Sequence, residues 1–96
     1  MKIRVKGFLS VKGVMGRGGE IDLDLPEPTI RQALDELCLR CGPEFRRVMF
    51  DPETGDPRPE NPILVNGRHY RHLLHGLDTP LRNGDLLAVF PPVAGG

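Results

Sequence analysis

The sequence predicts an α+β domain, with one main helix packed on one face of a small mixed sheet. Three observations carry that reading: two early segments alternate polar and apolar residues, one later stretch has helical periodicity with signals at both ends, and short apolar runs bounded by turn residues follow it. The first strand is Lys2-Ile3-Arg4-Val5-Lys6. The second runs from Glu20 to Leu25, with Ile21, Leu23 and Leu25 on one side and carboxylates on the other. Gly13, Gly16, Gly18 and Gly19 lie between them and read as a flexible turn, so the two strands are expected to pair as an antiparallel hairpin. Pro26-Glu27-Pro28 ends the second strand. Thr29 with Gln32 is a capping-box pair that opens the helix, and Ile30, Leu34, Leu37, Cys38 and Cys41 form its buried stripe. Gly42 and Pro43 stop it.

A second helical turn is expected over Glu44 to Val48 and a brief strand over Val48-Met49-Phe50. The Pro-rich, acidic stretch from Asp51 to Pro62 reads as a surface loop or a small hairpin around Thr54-Gly55. Ile63-Leu64-Val65 is a strand closed by the Asn66-Gly67 turn, and His69 to Leu74 is a short strand or a helical turn. Leu81 to Asp85 is a turn and Leu86 to Phe90 the last strand, ended by Pro91 and Pro92, which cannot donate to a ladder. The expectation is a single domain over 1–96 with a flexible C-terminal tail over 91–96.

Composition narrows the function. With one Tyr, four Phe and no Trp, the core must be mostly aliphatic. Lys plus Arg equals Asp plus Glu at 13 each, which excludes a protein that holds nucleic acid by a broad basic field. The longest apolar run, Leu86 to Phe90, is far short of the roughly 20 residues that span a bilayer, and no block of signal-peptide length follows the N-terminal cations. Two cysteines make no disulfide framework. The expected setting is cytoplasmic, with neither nucleic acid nor membrane as a partner.

The chemistry is expected at the C-terminus. Phe90-Pro91-Pro92-Val93-Ala94-Gly95-Gly96 leaves the last strand through two stiff prolines and finishes in residues with small side chains or none. Glycine tolerates the close approach that a narrow channel demands, and the reactive feature of such a tail is the α-carboxylate of Gly96. Ordering a backbone costs about 1–2 kcal/mol per residue, so contacts elsewhere must offset threading. Alternation supplies a candidate: if Leu87 and Val89 face the helix, then Leu86, Ala88 and Phe90 face outward, and Leu64 joins them. A patch of Leu64, Leu86 and Phe90 beside the tail is read as an interface. The competing reading has the long Pro43–Pro62 stretch cover that second sheet face.

Other motifs read as structural. Cys38-Leu39-Arg40-Cys41 lacks the further ligands zinc wants and sits at a helix C-terminus, where the dipole opposes thiolate, so it reads as packing. His69, His72 and His75 read as a solvated or partner-contacting cluster, not a metal site. The glycines from Gly13 to Gly19 have no Gly-Lys-Ser or Gly-Lys-Thr after them, which argues against a phosphate loop. Asp22 and Asp24 are the solvated face of a strand. Lys2, Lys6 and Lys12 are the only lysines.

Three stretches carry a family resemblance: Val65-Asn66-Gly67, Leu77-Asp78-Thr79-Pro80-Leu81-Arg82-Asn83-Gly84-Asp85, and Leu87-Ala88-Val89-Phe90-Pro91-Pro92-Val93-Ala94-Gly95-Gly96. On these the chain resembles the ubiquitin-like sulfur carriers of the MoaD/ThiS family, and the Phe-Pro-Pro-Val run looks more like the small subunit of molybdopterin synthase than the thiamine carrier. The resemblance implies a β-grasp fold and a carrier that is not itself an enzyme. It implies activation at Gly96, next to Gly95, by an adenylating enzyme that consumes ATP, and then a terminal thiocarboxylate. Phe90, Pro91, Pro92, Val93 and Ala94, with Leu64 and Leu86, would contact partners, the acceptor being the large subunit of molybdopterin synthase. No bound cofactor is implied. The alternatives are a ubiquitin-like protein modifier, a sulfur carrier for thiamine, tRNA or amino-acid thiolation, and a β-grasp binding module that is never activated. The Pro43–Pro62 stretch is longer than in compact family members.

Overall fold

A computed structural model describes residues 1–92. Strands β1 (Lys2–Gly7) and β2 (Glu20–Asp24) pair antiparallel as expected, with Ile3 opposite Leu23 and Val5 opposite Ile21. All four of these apolar residues are buried. The connection between them differs from the expectation. Helix α1 (Leu9–Met15) and a 3-10 turn over Arg17–Gly19 occupy the glycine-rich stretch, and Val11 and Met15 reach the core one helical turn apart. Gly13 sits inside the helix. Gly19 is the position that must be glycine: its φ is +79°, and an added Cβ would stand 3.0 Å from the Gly7 carbonyl oxygen.

Helix α2 (Ile30–Cys41) starts where the capping box places it. The Thr29 hydroxyl accepts from the Gln32 N–H at 3.2 Å, and the Gln32 side chain accepts from the Thr29 N–H at 2.9 Å. Ile30, Ala33, Leu34, Leu37 and Cys38 are buried, whereas Cys41 is only half-buried and lies at the margin of the stripe. Gly42 then ends the helix with φ +91°.

Helix α3 (Pro43–Met49) replaces both the short turn and the brief strand expected at Val48-Met49-Phe50. The helix continues to Met49 because Phe45 and Met49, one turn apart, are both fully buried. Phe50 contributes only an isolated bridge to Pro57. The loop that follows is tied back to the end of α3. The Arg58 N–H donates to the Met49 carbonyl at 2.8 Å, and buried Asn61 donates to the Val48 carbonyl at 3.0 Å. The Pro43–Pro62 stretch therefore enlarges the helical layer on the core side of the sheet.

Strands β3 (Ile63–Val65), β4 (Arg68–His69) and β5 (Leu86–Val89) complete a five-stranded sheet in the order β2-β1-β5-β3-β4. The β1–β5 pair is parallel, with Val5 opposite Leu87, and the other pairs are antiparallel. Strand β5 thus lies at the centre, where burial is deepest, and Leu87 and Val89 are fully buried beneath the helices. It ends one residue earlier than expected. The segment from His69 to Leu74 is both things it was read as: β4 ends at His69, and a 3-10 turn covers Tyr70–His72. Among the described residues no helix is long and apolar enough to cross a membrane.

Candidate functional site

The outward face of the sheet can be read strand by strand from its register. One row runs Glu20, Lys6, Ala88, Leu64, His69 across all five strands, and Asp22, Arg4 and Leu86 form part of the next. The β2–β1 half is charged and internally paired, with Arg4 3.5 Å from Asp22. The β5–β3 half is apolar. Leu64, Leu86 and Phe90 are each half-buried there, around Ala88.

Phe8 completes the strip, and sequence reasoning missed it. Its ring stacks on Phe90 with centroids 4.4 Å apart and planes 5° from parallel, and the Lys6 ammonium lies 5.5 Å from the Phe8 centroid. The signal was present: Phe8 continues the outward alternation Lys2, Arg4, Lys6 by one step. It was obscured because the first strand was read only as far as Lys6. The Phe8 N–H donates to the Val89 carbonyl at 3.1 Å, which holds the stacked pair where β5 ends. Pro91 is buried and Pro92 exposed. Val93, Ala94, Gly95 and Gly96 lie outside the described residues.

Two turns fix where β5 begins and hence where it points. Asn66, with φ +50°, accepts from the Leu86 N–H and donates to the Asp85 carboxylate, each at 2.9 Å. The second Asp85 oxygen accepts from the Arg82 N–H at 2.7 Å. The Gly84 N–H donates to the Lys2 carbonyl at 2.7 Å, and the Arg4 N–H to the Asp85 carbonyl at 3.0 Å. The Val65-Asn66-Gly67 and Leu81-Arg82-Asn83-Gly84-Asp85 stretches are therefore one polar clamp around the root of the tail strand.

Cys38 is buried and Cys41 half-buried at the C-terminal end of α2. Burial pushes both thiols above their ordinary value, outweighing the opposing pull of Arg46 on Cys38 and of Arg17 and Arg40 on Cys41. The thiolate is the nucleophile, so less of it exists at neutral pH. Iodoacetamide is expected to label both thiols more slowly at pH 7 than a free cysteine, with the rate still climbing with pH where that of a free cysteine, of pKa about 8.5, levels off. Rapid labelling at pH 7 marks an activated pair and overturns the packing assignment. Among the described residues no group of three His, Cys, Asp or Glu side chains is placed to hold a metal ion. His69 instead stacks on Tyr70 at 4.9 Å and stands 6.0 Å from His72.

The ThiS family model matches residues 14–96. A protein of Archaeoglobus fulgidus named as a sulfur carrier protein is 32% identical over 78 residues, 81% of this chain and 85% of that one. The fold is similar to the crystal structure of SAMP1, a small archaeal modifier protein of Haloferax volcanii, with a TM-score of 0.82 and 28% identity over 100% of both chains. It is also similar to the structure of a Pyrococcus furiosus protein named for molybdopterin converting factor subunit 1, with a TM-score of 0.70 and 27% identity over 97% of this chain and 99% of that one.

Proposed function

The chain belongs to the ThiS family of ubiquitin-like β-grasp proteins, and on that premise we propose that Gly96 is the group it carries into chemistry. It is a sulfur carrier or ubiquitin-like modifier, and as a carrier it is not itself a catalyst. In the reading we favour, the Gly96 carboxylate attacks the α-phosphorus of ATP on a partner adenylating enzyme and releases pyrophosphate. A sulfide-level nucleophile then displaces AMP and leaves a terminal thiocarboxylate. Activation is needed because a carboxylate is a poor electrophile and AMP a good leaving group. A large synthase subunit then accepts the sulfur for a molybdopterin (or tungstopterin) precursor.

The observation that carries this reading is the apolar strip of Leu64, Leu86, Phe90 and Phe8, which flanks the strand that runs into residues 91–96. It is a docking surface beside a probe. The Phe90-Pro91-Pro92-Val93 run supports the molybdopterin endpoint. Similarity to a small archaeal modifier protein across the whole of both chains favours a second endpoint, with Gly96 joined to lysines of other proteins.

Mass spectrometry of the protein from native cells separates the readings. Oxygen-to-sulfur exchange at Gly96 is expected for the carrier. Lysine-linked remnants of Gly95-Gly96 on other proteins, without any thiocarboxylate, replace it with the modifier. A free carboxylate under every growth condition overturns both.

A further inference from the structure

His69 lies on the docking face and not merely near it. It stands in register opposite Leu64, and Leu64 stands opposite Ala88, so the imidazole closes the apolar strip on the β4 side. Its position is fixed in two ways. The ring stacks on Tyr70, itself buried. Its Nδ1 accepts the Arg71 backbone N–H at 3.1 Å and so caps the 3-10 turn over Tyr70–His72.

That second contact has a chemical consequence. A nitrogen that accepts a hydrogen bond offers a lone pair, so in the neutral ring the proton is on Nε2. Among the described residues Nε2 has no hydrogen-bond partner. The neutral form is also the favoured one, because burial, then Arg71, then His72 move His69 below its ordinary value. The residue facing the ring from the neighbouring strand, Leu64, brings no charge to it.

We propose that His69 is a specificity-determining residue of the docking face: its Nε2–H donates to a carbonyl or carboxylate oxygen on the activating enzyme, beside the apolar spot that covers Leu64, Leu86 and Phe90. The inference rests on the docking reading above and names what the partner must present. A half-buried donor in an apolar strip rejects surfaces that lack an acceptor, because covering it unpaired is costly.

Two variants separate this role from the cap. His69→Asn keeps an oxygen where Nδ1 was and so preserves the cap, but it removes the distal donor. His69→Gln reaches the distal position and weakens the cap. The readout is ATP–pyrophosphate exchange driven by the unaltered chain and its variants with the activating enzyme of the same cells, alongside thermal melting and the imidazole nitrogen shifts of the free protein. His69→Asn is expected to melt like the unaltered chain while raising the KM for the chain about tenfold, the size of one lost hydrogen bond. His69→Gln is expected to stay within about twofold in KM. The free protein is expected to show the Nε2–H tautomer. The reverse ordering of the two variants overturns the proposal, as does an Nδ1–H tautomer. No exchange with the unaltered chain overturns the carrier reading instead, and the tautomer then still decides whether His69 is built as a donor.

Discussion

Removing Gly96, or adding one residue after it, is expected to abolish adenylation and leave the folded domain as stable as before. The reacting atoms are those of the terminal carboxylate, and one residue of extended chain displaces them by about 3.3–3.6 Å. A misplacement of about 1 Å already costs on the order of a hundredfold in a positioned reaction. The clamp of Asn66, Asp85 and Gly84 sets where β5 starts, and the Phe8–Phe90 stack sets where it ends. The chain therefore has no slack on the domain side with which to correct an error of one residue. Pro91 is the last buried position among the described residues, and the melting temperature is expected not to move. The measurement is pyrophosphate exchange with the activating enzyme, with melting curves as the control. A truncated chain that still forms the adenylate at the normal rate means the working atom is elsewhere.

Local signals in the sequence were reliable wherever one residue decides. Thr29 and Gln32 announced α2 because a capping box is complete within four residues, and Ile21 and Leu23 announced β2 because alternation needs no partner. The outward strip was legible for the same reason, since Leu86 and Phe90 must oppose Leu87 and Val89. What escaped notice depended on distant neighbours. Helix α1 has only Val11 and Met15 to mark it, and four glycines around them read as a turn until the core claims both side chains. The parallel pairing of β1 with β5 joins the two ends of the chain, and nothing local in either strand specifies it. Ala88 illustrates the same limit. Alternation points it outward, yet it is buried, because Lys6 and Leu64 flank it in register and a side chain so small is covered by its neighbours. His69 was weighed as one of three similar histidines, and only its register beside Leu64 and its cap to Arg71 distinguish it.

The long stretch between Pro43 and Pro62 is where sequence and structure differ most in meaning, and Phe45→Ala tests it. Read as a cover for the outer face of the sheet, the stretch should add nothing to the core beneath the helices. Instead Phe45 is 0% exposed, in one cluster with Leu34 and Leu37 of α2, Val11 of α1 and Ile63 of β3. Truncating a buried Phe removes its transfer energy and leaves a cavity that the surroundings close only partly, at a cost of about 3–5 kcal/mol. Domains of this kind hold about 5–15 kcal/mol in total, so the variant should lose a large fraction of its stability in urea titration. A loss below about 1 kcal/mol means that α3 packs loosely and adds little to the core. The function should part company with the stability. The strip and the clamp lie on the other face of the sheet or at its end, so the fraction of Phe45→Ala that remains folded at low temperature should still be adenylated with an unchanged KM for the chain. A raised KM in the folded fraction would instead show that the helical layer itself forms part of the docking surface.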